Sequence, residues 1–517
     1  MKNLPIGIQA FEKAIHGNCL YVDKTKTIYL IATQGHWYFL SRPRRFGKSL
    51  LISTLEALFK NKRELFAGLW VDSSDYHWAS YPVITIDFSG MQHTSEALLT
   101  QKLILAIKKN AKEYAIRIPQ EFLNTPGSAL DYLVTELART QGPVVILVDE
   151  YDHPILGNLP NGSELGAIHK LLQSFYATIK SLDQYLHFVF ITGVSKFAKT
   201  SIFSGMNNLE DLTFRPETAA LLGYTSSELV TYFAPYLGLI ATTQNTTQEQ
   251  LLEKLTHWYD GYDFSGRAER VFNPFSILLF CKTKEFLAHW FETGTPTFLM
   301  RIIEEKKQLP QDFESLEIGD SDLFASYGPD QFDLVPLLVQ TGYLTIKSYD
   351  APAHIFTLSF PNQEVRIALS QNIAKYVSSL QTKDYNRVAY TLAQALLNNN
   401  LEEFAHAFQT FLARVPYTIH IPQERYYQTI FYVALVTMGI AVDVEVATNS
   451  GRIDAIITTP ARIFIFEFKI DQPAAAALAQ IKDKRYAQKY QLTSKPVTLV
   501  GMSFDTTARN ITEWVCG

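Results

Sequence analysis

Cysteine is scarce in this chain. Cys19, Cys281 and Cys516 are scattered through 517 residues with no Cys-x-x-Cys pair. That excludes a zinc ribbon or a disulfide framework and fits a reducing compartment, the cytoplasm. The N-terminus lacks a basic segment followed by a long apolar run, so no signal peptide is expected. The most apolar stretch, Ile430 to Val442, is too short to span a bilayer and reads as a buried helix; no membrane partner is expected. Positive charge is not in excess either. With a formal net charge of −5, any contact with nucleic acid must come from local basic patches.

Apolar and aromatic residues are plentiful. A hydrophobic fraction of 47% against 19% charged describes a globular chain and argues against disorder. The length is too great for one core, so two to four domains are expected. The 34 Phe and 27 Tyr suit large cores before they suit base stacking.

One stretch organises the N-terminal half. The apolar run His36-Trp-Tyr-Phe-Leu40 leads into Arg42-Pro-Arg-Arg-Phe-Gly-Lys-Ser49, and apolar positions at helical spacing follow from Leu50 to Phe59. Strand, basic loop, Gly-Lys-Ser and helix is the layout of a phosphate-binding P-loop, in which backbone N–H groups and the helix N-terminus face the anion. Gly47 belongs to that loop, Lys48 would reach the β- and γ-phosphates of ATP, and Ser49 would ligate Mg²⁺. The general pattern begins with glycine, whereas Arg42 stands there; with Arg44 and Arg45 it is expected to add positive charge beside a triphosphate. Downstream, Val83 to Phe88 reads as a buried strand and Thr94 to Tyr114 as a long amphipathic helix.

Pro143-Val-Val-Ile-Leu-Val-Asp-Glu-Tyr-Asp152 is a β-rich run ending abruptly in acids. The carboxyl ends of parallel strands carry the ligand site, so Asp149 is the candidate for holding the Mg²⁺ shell and Glu150 for orienting an attacking water. Asp152 could instead cap the next turn. A third strand, His187 to Gly193, ends in small polar groups, and Thr192 and Ser195 are candidate γ-phosphate sensors, although a plain strand-end turn explains them nearly as well. Alternating strands and helices predict a doubly wound parallel α/β sheet.

Tyr21-Val-Asp-Lys-Thr25, the arginine-rich loop, Val148-Asp-Glu-Tyr-Asp152 and Ile191-Thr-Gly-Val194 together resemble the bacterial AAA-ATPase-like family, whose members carry arginines where a standard loop has glycine. The resemblance implies ATP binding and a C-terminal PD-(D/E)XK nuclease domain. Trp258-Tyr-Asp-Gly-Tyr262 and Val271-Phe-Asn-Pro-Phe275 are similar to the same family and read as an aromatic helix junction rather than a ligand site. Ala241 to Thr247 reads as a surface loop. A helix ending at Gly342, followed by strands Tyr343 to Lys347 and His354 to Phe360, suggests a winged-helix-like module.

The C-terminal region supplies a second set of acids. After helices from Asp384 to Leu412 and one beginning at Glu424, Val442 to Ala447 alternates as a strand and Gly451 to Ile457 carries Asp454. Ile463-Phe-Ile-Phe-Glu-Phe-Lys-Ile470 places Glu467 and Lys469 on one face, since residues two apart on a strand point the same way. Phosphodiester hydrolysis needs a hard cation held by carboxylates and a group to stabilise developing negative charge. Asp454, Glu467 and Lys469 have that chemistry, and an unpaired acid on so apolar a strand would be costly. This segment resembles the PD-(D/E)XK nucleases. The resemblance implies that Gln480, on the following helix, sits by the active site and that Tyr486 and Tyr490 belong to the helix pattern. It also makes Glu424 an extra metal ligand, with Glu445 competing. Lys482, Lys484, Arg485 and Lys489 make that helix basic. The last strand, Val497 to Gly501, is expected to precede a helix from Arg509 to Trp514.

The expected architecture is therefore a P-loop domain over 1–235, a helical and winged-helix-like connecting region over 236–375, and a small α/β nuclease-like domain over 376–517. The expected function is an ATP-binding, Mg²⁺-dependent nuclease acting on DNA ahead of RNA, with a homo-oligomer left open. The alternative is a nucleotide-dependent switch that turns ATP over slowly and does not cut.

Overall fold

The strand patterns of the N-terminal half close into one parallel sheet. The computed structural model describes residues 1–91, 94–158, 162–196, 202–203, 206, 208–290, 313, 315–323, 333–378, 382–414, 424–436, 440–448, 450–491 and 493–517. In it β1 (Trp37–Ser41), β2 (Val83–Asp87), β3 (Val144–Asp149), β4 (Leu186–Gly193) and β5 (Glu210–Asp211) lie in the order β2-β3-β4-β1-β5. Every neighbouring pair is parallel. β1 and β3 are buried along their whole length, as strands covered by crossover helices must be. The Glu96–Glu113 helix starts where the Ser95 hydroxyl accepts from the Leu98 N–H, and the Pro126–Gln141 helix where Thr125 accepts from Ser128. After β1 the chain crosses to β2 and works back through β3 to β4, beside its starting strand. The carboxyl ends of β1, β3 and β4 thus meet at one edge, where a ligand site forms in such sheets.

The chain divides into two compact units. The first comprises Met1–Ile302 with Ser315–Gln363, and the second Ile303–Glu314 with Glu364–Gly517. Beyond the parallel sheet, the first unit continues as helices Ser226–Tyr232, Ala234–Thr243, Gln248–Tyr259 and Pro274–Thr283. Capping boxes Thr225/Glu228 and Thr247/Gln250 start two of them. The loop expected from Ala241 is shorter than its polar composition suggests, because the preceding helix runs to Thr243. Residues 334–341 form a helix stopped by Gly342 at φ +86°. It is followed by β7 (Thr345–Asp350) and β8 (Ile355–Ser359), which form an antiparallel sheet with β6 (Leu316–Gly319) in the order β6-β8-β7. This is the winged-helix-like pattern, with one additional strand.

The second unit is built on a five-stranded mixed sheet in the order β13-β12-β11-β10-β9. Its strands are β9 (Ala441–Ala447), β10 (Arg452–Thr458), β11 (Ile463–Ile470), β12 (Val497–Asp505) and β13 (Asn510–Cys516). β11 and β12 are parallel; the other pairs are antiparallel. The alternation of β11 sorts its neighbours. Phe466 and Phe468 pack against Phe431 of the Glu424–Val436 helix, while Ile463 and Ile465 join Ile481 and Tyr486 in another cluster. Two expectations are corrected here. Arg509 to Trp514 is not a helix: Asn510 to Cys516 pairs antiparallel with β12, because the β-branched Ile511, Thr512 and Val515 suit a sheet edge. The apolar run from Ile430 is helical only to Val436, and Ala441–Ala447 is already strand β9. Residues 437–439 lie outside the described residues. Among the described residues, no helix is long and apolar enough to cross a membrane.

The Ala474–Asp483 helix lies very close to β12. A Cβ on Gly501 would stand 2.5 Å from the Ala474 carbonyl oxygen and 2.8 Å from the Leu478 nitrogen, backbone atoms that cannot turn aside. Gly501→Ala is therefore expected to cost about 1–3 kcal/mol by overpacking and to lower the melting midpoint of the C-terminal unit. A calorimetric scan indistinguishable from that of the parent protein would disprove the close approach.

Candidate functional site

The P-loop follows β1 directly. Arg45 at φ 68° and Gly47 at φ 100° both take the left-handed conformation, which bends the chain before the Lys48–Phe59 helix; left-handed residues are a building block of anion nests. A cavity of about 380 Å³ opens above it. Arg44, Arg45, Gly47, Lys48, Ser49, Glu150 and His153 contribute to its lining, together with apolar side chains including Ile8, Leu20, Val22, Leu222 and Phe275. The volume and mixed lining suit a nucleotide-sized ligand. Pro274 and Phe275, expected to form only a helix junction, belong to this wall.

Arg42 does not join the cationic loop surface. Its side chain is buried, donating from Nη1 to the carbonyls of Ser41 (2.9 Å) and Thr213 (2.6 Å) and from Nη2 to Thr218 (3.1 Å). The guanidinium lies 4.1 Å from the Phe264 ring centroid, and burial brings its pKa down to about 9. The expected electrostatic role passes to Arg44 and Arg45, while Arg42 pins the start of the loop to the 213–218 segment. Lys48 is buried too, and its Nζ donates to the carbonyls of Arg42 (3.0 Å) and Pro43 (3.1 Å). Burial lowers its pKa, opposed by the charges of Glu150, Asp149 and Asp152.

The acids after β3 divide into distinct roles. Asp149 is pushed up to about 6 by burial, against a hydrogen bond from Ser49 and the charge of Lys48. Asp149 thus lies beside Ser49 and Lys48. Glu150, at φ 51°, lines the cavity and has Oε2 3.7 Å from His153 Nδ1. Asp152 is structural, accepting from the Val194 and Ser195 N–H groups and, at 2.7 Å, from the Ser195 hydroxyl. The two candidate sensors face elsewhere. Thr192 is fully buried and donates to the Leu40 carbonyl across the sheet at 2.8 Å; Ser195 is held by Asp152; neither lines the cavity. The plain strand-end explanation describes them better.

In the second unit the predicted triplet comes together. Glu467 and Lys469 lie on β11, with Nζ 3.4 Å from Glu467 Oε1. The antiparallel register Ala455↔Phe466 brings Asp454 alongside, and Asp454 Oδ2 accepts from the Phe468 N–H at 2.7 Å. Gln480 donates from Nε2 to Glu467 Oε1, and the Tyr486 hydroxyl donates to the Arg452 carbonyl. Among the described residues, none is a hydrogen-bond partner of the buried Glu467 Oε2. Burial first, then the Glu467 charge, raises Asp454 to about 8; burial raises Glu467 to about 7 against the pull of Lys469. An orphaned acid oxygen beside a second raised carboxyl fits a hard divalent cation.

Glu424 is felt at both acids through its charge, which raises each of them. Among the described residues, however, no group of three or more His, Cys, Asp or Glu gathers as a metal cluster. The side chain of Glu445, on β9, lies outside the described residues. The expected basic helix is interrupted: Ala474–Asp483 ends before Arg485, whose φ of 54° turns the chain into the short Tyr486–Tyr490 segment. Lys482, Lys484, Arg485 and Lys489 are exposed but do not share one helical face.

Comparison with known proteins agrees with this division. The family described as predicted AAA-ATPase matches residues 5–203, and the PD-(D/E)XK nuclease superfamily matches residues 422–514. A protein of Azotobacter chroococcum mcd 1, "Uncharacterized protein in vnfD 5'region", is 34% identical over 99% of this chain and 98% of its own. The chain belongs to this AAA-ATPase-like family, with a PD-(D/E)XK domain at its C-terminus. Among solved structures, the Aeropyrum pernix ORC1 protein in complex with DNA aligns over 68% of this chain and 93% of its own, at 14% identity and a TM-score of 0.23. The Aeropyrum pernix ORC2 protein (ADPNP-ADP complexes) aligns over 81% and 86%, at 11% identity and a TM-score of 0.28.

Sequence reasoning missed several residues of this AAA-ATPase-like protein. Gln428, on the Glu424–Val436 helix, donates from Nε2 to Asp454 Oδ1 at 3.0 Å; a polar residue amid Tyr427, Ile430 and Phe431 was the available signal. Lys24 lines the cavity and bonds Glu228 at 2.6 Å; it lies within the quoted family string, yet its partner is far along the chain.

Two outcomes follow. Arg42→Gly, which restores the general P-loop glycine, is expected to destabilise the N-terminal unit by roughly 2–4 kcal/mol without tightening nucleotide binding; a stability matching the parent in a denaturant titration would refute the clamp. The raised carboxyls set a pH dependence. The metal-free native state binds more protons than the unfolded chain between the usual carboxylate range and the raised values of about 7 and about 8. Stability of the second unit should therefore fall as pH rises through that window. Asp454→Asn should flatten that slope and raise the melting midpoint on its alkaline side, read by calorimetry in chelator.

Proposed function

We propose that the protein is a Mg²⁺-dependent nuclease hydrolysing phosphodiester bonds of nucleic acid, DNA ahead of RNA, under the control of an ATP-binding module. The observation that carries this reading is the buried Glu467 Oε2, without a hydrogen-bond partner among the described residues, next to Asp454 and Lys469. Asp454 and Glu467 would hold the cation. A divalent ion there supplies Lewis acidity and a water of lowered pKa. Lys469 would orient that water or stabilise the charge developing on the phosphate. Gln480, hydrogen-bonded to Glu467, would keep the carboxylate in place. Lys482, Lys484, Arg485 and Lys489 would contact the phosphate backbone.

In the N-terminal module, the backbone N–H groups of Gly47, Lys48 and Ser49 would receive the phosphates, with Lys48, Arg44 and Arg45 supplying charge. Ser49 and Asp149 would hold Mg²⁺, and Glu150 would orient the attacking water. We assign 1–235 to nucleotide binding, 236–375 to the connection and 376–517 to cleavage. A second reading, a nucleotide-dependent switch with slow or no turnover, draws support from Thr192 and Ser195, whose hydroxyls donate to the Leu40 carbonyl and to Asp152.

The test is a cleavage panel of single- and double-stranded DNA, RNA and branched DNA, with and without ATP and each divalent metal. Asp454→Ala and Lys469→Ala are expected to cut at least about 100-fold more slowly than the parent while remaining folded. Lys48→Ala should abolish ATP binding, and with it any effect of ATP on cleavage. Unchanged cutting by Asp454→Ala removes the nuclease assignment. Tight ATP binding with neither phosphate release nor nicking establishes the switch.

A further inference from the structure

Asp454 receives a hydrogen bond on each oxygen. Oδ2 takes the Phe468 N–H at 2.7 Å, a bond made between two strands. Oδ1 takes Gln428 Nε2 at 3.0 Å, from the Glu424–Val436 helix. The two donors come from different elements, so together they fix both the position and the rotation of the carboxylate. Neither donor blocks the oxygen it bonds, since each carboxylate oxygen retains a second lone pair for a cation. Gln428 is itself 4% exposed. A buried amide in an apolar helix is costly unless its hydrogen bond is made, and this side chain donates to the acid. One helical turn before it stands Glu424, whose charge reaches the same centre. Residues four apart share a helix face, so the helix directs an acid and an amide towards the site. The other carboxylate repeats the arrangement, with Gln480 donating to Glu467 Oε1.

We propose that Gln428 is a positioning residue for the metal centre: it holds Asp454 in the rotamer that presents an oxygen to the cation bound jointly with Glu467. The inference rests on the metal-site reading above and assigns the helix a role in it beyond packing. Outer partners of metal-binding carboxylates typically tune affinity by 10–100-fold, and Gln428 occupies that place for Asp454.

The experiment uses the full chain carrying Asp149→Asn, without nucleotide, so that binding reports on the C-terminal centre. Mn²⁺ alone is titrated calorimetrically into this protein and into its Gln428→Leu, Gln428→Met and Asp454→Ala derivatives, and each is also melted. Leucine and methionine nearly conserve volume and remove the donor, so the fold should persist. Mn²⁺ affinity should fall by about 10–100-fold in both, and in the cleavage assay the metal concentration for half-maximal rate should rise in parallel with KM for nucleic acid unchanged. A shifted melting midpoint with Mn²⁺ affinity intact in both variants would make Gln428 a packing residue and overturn the proposal. If Asp454→Ala also leaves Mn²⁺ binding intact, the metal-site reading itself fails; if Asp454→Ala loses binding while the two Gln428 variants retain it, only the positioning role fails.

Discussion

Two carboxylates are kept out of water side by side, and the C-terminal unit is arranged around that constraint. Asp454 and Glu467 each lose hydration, and Asp454 also feels the charge of Glu467; burial is the largest cause of both raised pKa values. Four donors compensate most of the loss: the Phe468 N–H, Gln428, Gln480 and Lys469. One oxygen, Glu467 Oε2, has no hydrogen-bond partner among the described residues. The surroundings are apolar, with Ile465 and Phe466 fully buried on the same strand. A fold shaped for stability alone would place hydrophobic residues at both positions. The remaining deficit is of the kind a small hard cation removes, and it ties stability, pH response and chemistry to the same few atoms.

The same logic of satisfied burial governs the P-loop. A glycine at its first position would leave the backbone free, whereas Arg42 extends inward to three carbonyls and the face of Phe264. Phe264 belongs to the chain after the parallel sheet, so a residue of the phosphate-binding motif is held by the connecting region. Other contacts strengthen the tie: Trp290 Nε1 donates to the Arg44 carbonyl at 3.0 Å, and the Phe46 ring packs edge-on against Tyr262 at 4.9 Å. The loop that would receive phosphate is therefore braced from outside its own sheet.

Much of this was legible in the chain. Gly47-Lys-Ser49, the acid-terminated strand at Asp149 and the spacing of Asp454, Glu467 and Lys469 are local patterns, and local periodicity determines which face a side chain takes. Strand β11 could be read as two faces, and both are observed. The misreadings have physical causes. By its charge Arg42 reads as part of the cationic loop, but a guanidinium can turn to either side of a loop and the buried carbonyls of 213–218 are distant in sequence. Thr192 and Ser195 read as sensors or, nearly as well, as a plain strand-end turn, and a hydroxyl follows the nearest unsatisfied acceptor. Asn510 to Cys516 is short, and only an available sheet edge decided that it would be a strand.

By itself, then, the sequence determined the elements, the alternation that buries them and the residue types able to bind phosphate or a cation, because these depend on neighbours a few positions away. Tertiary structure decided which of those groups converge. Gln428 meets Asp454, Lys24 meets Glu228 and Asp152 meets Ser195 across long stretches of chain. A hydrogen bond acts over about 3 Å, and only folding brings such pairs within that reach.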